Sequence, residues 1–533
     1  MSFSFASFER KDAWFLLALT FLVFVGLWRW MISQGPDPAL PIVQADRRGS
    51  IAKLIPTRFY WIIDGPAIIA KGLADFNETP FQVPSTSGWK VILPTKYAEE
   101  LRNNENLSFT ESVKKDFLAG YPGFDAFTEG LKDDFFMQEV VRVRLTQSLA
   151  MLTDDLVDET NDSLHNILGE DAHYESVAIK ERVLDIVSRL SSRILLGLPL
   201  CRNQAWLDIA KGHTVDLFKS AQLMRLVPAI ARPLLYLVPT PCKRIKAQVQ
   251  AARRLINEEV RLRRERTQKI LDAGEKPPKQ ADAIAWMTES SHVHGRVPDF
   301  VAAQLALSMA AIHTTSETIS NAILALCESP ELIRELRAEV IEVLTTNGWS
   351  KQTLYKLRIM DSFLKESQRV RPMSATSMNR LVLKDITLSD GIVLRAGSRI
   401  MIRDSKDVNA EAFPEPEKFD PHRFLKMRDH PGEENRHQFV TLTADHMSFG
   451  YGTHACPGRF FAANEIKILF CFLLLKYEFR YLKAADGIED QKPTHFSFEN
   501  AIVADPRCKI QIRRREEEID LMDPSTGKAS IDK

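Results

Sequence analysis

The sequence predicts a mainly α-helical protein with a small β-rich region. Several long stretches have apolar residues at helical spacing or are rich in helix-favouring residues, whereas only a few short segments favour strands. Of the 533 residues, 45% are hydrophobic, so the chain can bury a large core. The predicted helices cover residues 180–196, 243–273, 297–327, 330–345 and 464–475.

Short segments break the helical trend. Residues 59–63 and 89–93 are predicted as strands because they are rich in aromatic and β-branched side chains. Residues 386–394 predict a hairpin that turns at Asp390-Gly391. Ser329-Pro330 has the residue types of a helix N-cap followed by a first turn, which places the start of one helix at residue 330.

Residues 1–34 are predicted to be an N-terminal membrane anchor. Residues 13–28 are an unbroken run of apolar or small residues, and the run continues past Arg29. About 20 apolar residues span a bilayer, and an arginine among tryptophans can reach the interface. The alternative is a cleavable signal peptide, but no A-x-A site follows and the preceding charges are mixed.

The rest of the chain divides into three parts. Residues 35–50 contain repeated prolines and are predicted to be a stiff hinge. Residues 51–512 are predicted to form one large domain. Residues 513–533 are polar with charges in blocks, which predicts a flexible tail.

Charge and cysteine content exclude some classes of protein. The 70 basic and 70 acidic side chains balance, so no global attraction to nucleic acid is expected. The six cysteines lack the spacing of a disulfide framework, and we expect the large domain to face the cytosol.

Residues 449–458 are the most informative segment. Cys456 precedes a long apolar helix pattern, and a helix N-terminus lowers a thiol pKa as an iron ligand requires. Gly450, Gly452 and Gly458 permit tight turns and close approach to a flat macrocycle, and Phe449 can shield the sulfur from water. The pattern predicts a thiolate ligand to haem iron. The alternative is an inert cysteine before an ordinary helix.

This run resembles the haem-binding loop of the cytochrome P-450 monooxygenases, F-x-x-G-x-[RH]-x-C-x-G, and every fixed position of that pattern is filled. The resemblance implies the cytochrome P-450 fold and haem b, with Cys456 as the axial ligand. His454 occupies the [RH] position, which implies contact with a haem propionate. Alternatively, His454 only satisfies a loop carbonyl.

Two upstream segments resemble the structural elements of that family. Glu366 and Arg369 share one helix face, and alone they would be an ordinary surface pair. Residues 421–424, Pro-His-Arg-Phe, resemble the family's P-E-R-F element. The resemblance implies that Glu366, Arg369 and Arg423 form a buried structural network, which needs near-complete hydrogen bonding.

Residues 310–315, Ala-Ala-Ile-His-Thr-Thr, resemble the family's oxygen-activation motif, [AG]-G-x-[DE]-T-[TS], with Ala311 and His313 as departures. The resemblance implies that the Thr314 hydroxyl serves dioxygen activation and proton delivery. Alternatively, the threonines only bond to preceding carbonyls. A proton relay, a substrate contact and a contact with a neighbouring helix all remain open for His313.

The family's second propionate partner lies in a W-x-x-x-R helix. Its counterpart is residues 138–142, Gln-Glu-Val-Val-Arg, in which the tryptophan is missing. Arg142 is therefore the expected partner, with Arg144 as the alternative.

The resemblance implies a membrane-anchored haem-thiolate monooxygenase that inserts oxygen from O₂ into a lipophilic substrate. Without a flavin or nicotinamide domain, electrons would come from a separate NADPH-cytochrome reductase, with cytochrome b5 as an open question. The implied location is the endoplasmic reticulum membrane. The alternatives are a haem-thiolate isomerase or dehydratase that needs no external electrons, and a non-catalytic haem-binding protein.

The wording of residues 310–315 is similar to fungal members that oxidise terpenoid and indole-diterpene skeletons. It implies a terpenoid, meroterpenoid or indole-diterpene substrate of fungal secondary metabolism. Apolar segments 119–127 and 221–237 are candidates for the pocket, in which Phe124 and Phe127 either touch the ligand or belong to the core.

Overall fold

The computed structural model describes residues 35–43, 57–132, 136–403, 413–482 and 495–524. The predicted membrane anchor, residues 1–34, lies outside these ranges, as does the second half of the predicted hinge. Within the ranges described, no helix combines the length and the apolar character that crossing a bilayer requires.

Helices make up most of the described chain, as predicted. In chain order they are α1 (Thr57–Phe76), α2 (Ala98–Leu101), α3 (Phe109–Phe117), α4 (Asp125–Gly130), α5 (Phe136–Glu139), α6 (Thr146–Leu168), α7 (Ile179–Leu196), α8 (Gln204–Leu226), α9 (Pro241–Asp272), α10 (Ala283–His294), α11 (Phe300–Glu328), α12 (Pro330–Asn347), α13 (Lys351–Lys356), α14 (Arg358–Val370), α15 (Arg423–Arg428) and α16 (Arg459–Lys476).

The strands form small sheets, the largest with the order β1-β2-β8-β5-β3. In chain order the strands are β1 (Phe81–Ser85), β2 (Gly88–Leu93), β3 (Leu107–Ser108), β4 (Glu175–Ala178), β5 (Thr376–Val382), β6 (Ile386–Thr387), β7 (Val393–Leu394), β8 (Arg399–Arg403), β9 (Tyr477–Tyr481), β10 (His495–Phe498), β11 (Ala501–Ala504) and β12 (Lys509–Arg514). Strand β12 lies between β4 and β9, antiparallel to both.

The main hydrophobic core surrounds α11 and α16. Both helices are apolar on nearly every side, and side chains from α6, α7 and α12 complete this core. Because α11 and α16 are buried along most of their length, the chain segments at their ends are held in fixed positions. The segment before α16 is the predicted ligand loop.

The long helices agree with the sequence predictions. Helix α11 begins at Phe300, where the Asp299 carboxylate accepts hydrogen bonds from the backbone N–H groups of Val301 and Ala302. Pro330 begins α12 as predicted, but the Ser329 side chain makes no capping bond. Strand β2 and the hairpin of β6 and β7 are also confirmed.

The prediction of a strand at residues 59–63 is wrong, because this segment belongs to α1. Its aromatic and branched residues favour a strand by propensity, but tertiary packing decides. Trp61 is buried in an apolar cluster that includes Ile68, Phe81 and Val83, so the helix covers one face of the large sheet.

The segment from 513 to 524 is packed against the domain, which corrects the expectation of a flexible tail over these residues. Arg515 donates to the carbonyl oxygen of Leu475 at 2.7 Å. Ile519 and Leu521 are buried, and Trp349 Nε1 donates to the Leu521 carbonyl at 2.7 Å. The charged residues that suggested a tail therefore bind to other parts of the domain. Residues 525–533 lie outside the described ranges.

The first half of the predicted hinge, residues 35–43, contacts the large sheet. The Asp37 backbone N–H donates to Gln82 Oε1 at 2.8 Å, and Ile42 forms a bridge with Gln82. Leu40 and Val43 are buried. This part of the segment is therefore a fixed extension of the domain.

Candidate haem-thiolate site

The loop before α16 folds as a tight turn that the glycines make possible. Gly450 and Gly452 have φ angles of +74° and +70°, in the left-handed region that favours glycine. The Cys456 backbone N–H donates to the Phe449 carbonyl oxygen at 2.7 Å, closing the loop. Gly458 has an ordinary φ angle of −89° and immediately precedes α16. The loop therefore carries Cys456 to the N-terminus of a buried helix.

The loop is fixed to the segment after α2. The Thr453 hydroxyl and backbone N–H both donate to Asn103 Oδ1 at 3.0 Å. The Arg102 guanidinium lies 5.2 Å from the centroid of the Tyr451 ring. A Cβ atom at Gly452 would lie 2.2 Å from the Arg102 carbonyl oxygen. No other residue fits this approach without moving the backbone.

The thiol of Cys456 experiences opposing influences on its pKa. Burial raises it above its ordinary value, while the backbone N–H groups of Gly458 and Arg459 and the Arg459 guanidinium lower it. Burial outweighs them in the protein alone, so the sequence-based expectation of a lowered pKa is wrong in net direction. The expected helix N-terminal N–H groups are nevertheless present.

Phe449 lies beside the loop as a partly buried ring against the main core. It meets Phe439 edge to face, with centroids 5.4 Å apart. This aromatic pair places apolar surface at the start of the ligand loop, and shielding of the sulfur by Phe449 stays a prediction.

Arg380 on β5 is a site residue that the sequence analysis missed. Its side chain is 4% exposed, and burial lowers its pKa to about 10. No carboxylate pairs with it among the described residues; its partners are the Asn379 carbonyl oxygen and the face of Phe109. Nothing in the sequence marks this arginine, because a charged residue in a strand normally points to solvent. Only its burial without an anion identifies it.

His454 lies in the same place. Its ring centroid is 6.0 Å from that of Phe109, and the Arg380 guanidinium lies over the same Phe109 ring. Burial lowers the pKa of His454, and the nearby positive charge of Arg380 lowers it further. Two basic groups therefore face one region beside the ligand loop, where an anion would satisfy Arg380 and favour protonated His454.

Arg142 lies in a π-helical turn, Val140–Leu145, that packs against the loop. Val141 is 3.7 Å from the position of a Cβ atom on Gly458. Burial is the largest influence on the pKa of Arg459 and lowers it. The charge of Cys456 raises this pKa, and the charge of Arg142 lowers it, so Arg142 lies close enough to act on a residue next to the loop. Arg144 pairs instead with Glu289 at 3.4 Å. Of the two arginines considered from the sequence, Arg142 is thus the one shown beside the loop.

The structure brings Glu366, Arg369 and Arg423 together in a buried network. Glu366 is 0% exposed and accepts from both Nε and Nη2 of Arg369 at 2.8 Å. Arg423 Nε donates to it at 3.2 Å. The remaining donors of both arginines bind carbonyl oxygens of residues 414–418. One carboxylate is thereby joined to α14, α15 and the connecting segment.

Thr314 and His313 occupy different faces of α11. Thr314 is exposed, and its hydroxyl donates to the Ala310 carbonyl oxygen at 2.7 Å. His313 is half-buried, and its Nε2 lies 3.0 Å from the Lys211 carbonyl oxygen on α8. Because a carbonyl only accepts, Nε2 must carry the proton. Burial lowers the pKa of His313, which keeps the ring neutral near pH 7.

A cavity of about 130 Å³ lies between α11 and the ligand loop. Thr318, one turn after Thr314, lines it from α11, and Met447 and Gly450 line it from the loop side. The Thr318 hydroxyl donates to the Thr314 carbonyl oxygen at 3.0 Å. Helix α11 and the ligand loop therefore line one cavity, α11 through Thr318 and the loop through Gly450.

These residues fit a dianionic macrocycle held by a thiolate. The loop offers a half-buried sulfur, and its glycines allow close approach. Within the described ranges, no carboxylate pairs with the buried Arg380 guanidinium, which therefore favours an added anion. Haem carries two propionates that match such a cation.

Comparison with known proteins agrees with this geometry. The cytochrome P450 family matches residues 99–501. The chain therefore belongs to the cytochrome P450 family. Membership implies haem b with a cysteine thiolate as axial ligand, and the protein is a cytochrome P450 monooxygenase. Members generally use a redox partner reductase and lipophilic substrates.

Fungal proteins are among the similar sequences. Cytochrome P450 monooxygenase bsc11 of Alternaria brassicicola is 44% identical over 494 residues, covering 92% of each chain. Cytochrome P450 monooxygenase adrA of Penicillium rubens is 38% identical, covering 90% of this chain and 92% of its own. The fold is similar to that of a solved structure, retinoic acid bound cyanobacterial CYP120A1. Its TM-score is 0.66 at 16% identity, covering 89% of this chain and all of that chain.

Proposed function

We propose that the protein is a membrane-anchored monooxygenase in which Cys456 is the axial ligand of haem b and which oxidises a lipophilic terpenoid, meroterpenoid or indole-diterpene. The observation that carries the assignment is the buried Arg380, paired with no described carboxylate and lying with His454 beside the loop of Cys456. Arg380, His454 and Arg142 would hold the propionates.

When bound, haem supplies the activation of O₂ with electrons from a partner. The chain's residues orient the group and manage protons. Phe449, Gly450, Gly452 and Gly458 shape the loop around the sulfur. Thr314 lies on an exposed part of α11, and its hydroxyl can donate a proton there. In this structure the hydroxyl donates to the carbonyl oxygen of Ala310. The network of Glu366, Arg369 and Arg423 fixes the segment that precedes the loop.

Support for a lipophilic substrate comes from an apolar cluster, called the roof cluster here. It contains Phe124 and Phe127 from the segment around α4 and Ala221 and Met224 from α8. Met309, five residues before Thr314, packs against it. Both predicted pocket segments thus contribute to one buried apolar cluster that packs against α11. The fungal relatives support a substrate from fungal secondary metabolism.

Support for membrane contact comes from the turn after α8. Ile230 is 90% exposed, and Leu234, Leu237 and Val238 are exposed beside it. Such a patch suits an apolar partner. Together with the apolar run at residues 13–28, it supports a single-pass anchor in the endoplasmic reticulum membrane, with the domain facing the cytosol. NADPH-cytochrome reductase would supply electrons there, and reconstitution with cytochrome b5 would test its contribution.

The first test is the reduced, carbon monoxide-bound difference spectrum of the full chain and of Cys456→Ser. We expect a red-shifted thiolate band in the native protein and its loss in the variant. Absence of the band in folded, haem-loaded native protein would overturn the ligand assignment. Product formation that needs O₂ and reduced reductase would separate a monooxygenase from an isomerase or dehydratase.

Substitution of Thr314 tests the distal side. Thr314→Ala should keep the thiolate band and lose product formation by about 100-fold or more, as expected for a lost proton-transfer group. Thr314→Ser, which keeps the hydroxyl, is the matched control and should retain most activity. Equal activity in the alanine variant would contradict the role.

A further inference from the structure

The turn between α8 and α9 carries an exposed apolar tip. Ile230 is 90% exposed and Leu237 is 74% exposed, and Leu234 and Val238 beside them are also exposed. Residues 229–236 form a short 3₁₀ helix in which none of the residues is buried. The turn therefore projects from the domain, and its apolar side chains are open to a partner.

The chain on both sides of this turn is basic. From residue 217 to residue 257 the sequence contains no aspartate or glutamate. Over the same stretch it contains eight basic residues: Lys219, Arg225, Arg232, Lys243, Arg244, Lys246, Arg253 and Arg254. Because the whole chain has 70 basic and 70 acidic side chains, its neutral total hides one strongly positive segment around the apolar tip.

Part of this charge is used within the fold. Four arginines of the stretch are held by carboxylates or by backbone carbonyl oxygens: Arg225, Arg232, Arg244 and Arg253. Lys219, Lys243 and Lys246 are exposed, and no carboxylate of the described residues forms an ion pair with them. Asp216, the last acidic residue before the stretch, is already paired with Arg244 at 2.6 Å. The positive charges of the three lysines are therefore available to a partner.

The lysines lie just behind the apolar tip. Counted from the start of α9, Lys243 and Lys246 lie about 3 Å and about 8 Å along the helix axis, at about 1.5 Å per residue. The pair of Arg244 and Asp216 sets the level of α8 beside α9, and Lys219 is nearer the turn than Asp216. In a bilayer, a headgroup layer of about 5–8 Å covers each side of the hydrocarbon. An apolar tip followed by cations at this depth matches that order of layers.

The turn adjoins α1, the described helix that comes first after the predicted membrane anchor. The Glu499 backbone N–H donates to the Ile62 carbonyl oxygen in α1 at 3.0 Å. The Glu499 carboxylate accepts from Arg225, near the end of α8, at 2.8 Å. Ile63, next in α1, is 57% exposed. One residue thus joins α1 to the end of the helix that leads into the turn, which favours a membrane over a soluble protein as the occupant of this face.

We propose that this face binds anionic phospholipids in preference to neutral ones. The basic-apolar surface, as it is called here, consists of the exposed apolar residues of the turn and the three lysines behind them: Ile230, Leu234, Leu237, Val238, Lys219, Lys243 and Lys246. The tip enters the hydrocarbon, and the lysines contact the phosphate and carboxylate groups of the lipids. Each lysine near an anionic leaflet strengthens binding by about fivefold. The inference rests on the membrane location in the proposed function and names the lipid class that this surface selects.

A fluorescent probe on the turn tests the proposal in the haem-loaded full chain, because the predicted anchor would hold the protein on any bilayer. The exposed Ala229 is the labelling site, so the apolar tip stays intact. Ala229→Cys, labelled with the environment-sensitive dye NBD, is placed in nanodiscs of phosphatidylcholine, pure or with about one-third phosphatidylserine. Phosphatidylserine should shift the NBD emission to the blue and raise its intensity several-fold. Salt at about 1 M should reverse the change, since the Debye length is then about 3 Å.

The native chain treated with the same dye gives the background from its own cysteines. Co-elution of the protein with neutral nanodiscs tests the predicted anchor, and the carbon monoxide difference spectrum of the same sample tests the proposed haem ligand. Neither result depends on lipid charge, so failure of the proposed function and failure of the lipid preference are distinguishable.

Charge removal identifies the residues responsible. Lys219→Gln, Lys243→Gln and Lys246→Gln in one chain should abolish the difference in emission between the two kinds of nanodisc. Arg254→Gln is the matched control, because Arg254 is an exposed cation of α9 about 12 Å beyond Lys246, more than a Debye length of about 8 Å. It should leave the difference unchanged.

Equal emission in both lipids, or an equal effect of the control, would show that the lysines do not select lipid, and the proposal would be wrong. An emission change that follows protein concentration instead of lipid charge would indicate a second copy of the chain. A change produced only by added reductase would indicate a protein partner. Either of these results also overturns the proposal.

Discussion

The imidazole of His313 on α11 is joined to the backbone of α8, with Nε2 3.0 Å from the carbonyl oxygen of Lys211. His313 directly precedes Thr314, and its protonated Nε2 donates this hydrogen bond. His313 therefore fastens α8 to the helix that presents Thr314. A proton-relay role for this histidine stays a prediction.

Substitution of His313 separates fastening from proton delivery. His313→Gln retains a side-chain donor and should keep most activity, whereas His313→Ala should lower the free energy of unfolding by about 1 kcal/mol through the lost hydrogen bond. Urea unfolding and product formation measure the two effects. A large loss of turnover in both variants with normal stability would instead indicate a relay.

The glycines of the ligand loop should differ in their tolerance of alanine. Gly452→Ala should lose most haem, because the new Cβ would lie 2.2 Å from the Arg102 carbonyl oxygen at a positive φ. Gly450→Ala has the same strain but its nearest contact is 3.3 Å, and the loss should be smaller. The ratio of haem to protein in each purified variant measures how much haem is lost.

Gly432→Ala is the control for this series. Its φ is +83°, but nothing lies within 4 Å of the added carbon, so it reports backbone strain alone. It should cost about 1 kcal/mol of stability with haem retained. Equal haem loss in all three variants would contradict the steric argument.

Arg380 should control haem retention. Arg380→Gln removes the buried cation, so the variant should release haem faster and hold less of it, while Arg380→Lys should be intermediate because it keeps charge but loses the planar fork. Transfer of haem to apomyoglobin measures the release rate. Arg395→Gln, an exposed arginine whose pair with Asp37 is weak, should behave like the native protein.

Glu366 should be essential to stability. Glu366→Gln removes the buried carboxylate charge that Arg369 and Arg423 share, which should cost about 3–5 kcal/mol. Glu258→Gln is a matched control, because Glu258 and Arg261 have the same residue types and spacing on an exposed face. It should change stability by about 0.5 kcal/mol or less. Urea unfolding compares the two, and similar losses would contradict the role of burial.

His446 should make the protein less stable in mild acid. Burial, reinforced by the charge of Lys365, lowers its pKa to about 3. Below about pH 6.5 this ring is protonated in the unfolded chain but stays neutral in the folded protein. The free energy of unfolding therefore falls as the pH falls. Between pH 7 and pH 5 the native protein should lose about 2 kcal/mol from this group. His446→Gln should reduce the dependence of urea unfolding on pH by that amount.

The ligand loop and the network of Glu366, Arg369 and Arg423 could be anticipated from sequence because their geometry is local or follows a family pattern. Arg380 could not, since its meaning depends on burial and on the absence of a described carboxylate around it. Residues 59–63 were predicted as a strand because local propensity cannot register the packing of Trp61 against the sheet. The contacts that fasten Arg514 to Glu170 and Arg515 to Leu475 join residues far apart in sequence, so these charges resembled a solvated tail.

Strand β12 has a consequence for how the protein is made. It pairs with β4, which ends at residue 178, and with β9, which begins at residue 477. During synthesis, the edge of β4 stays unpaired while more than half of the chain is translated. The sheet can form only when residues 509–514 have left the ribosome. A premature stop shortly before residue 509 would thus leave β4 and β9 with unpaired edges prone to aggregation, although all the residues assigned to haem binding would already be present.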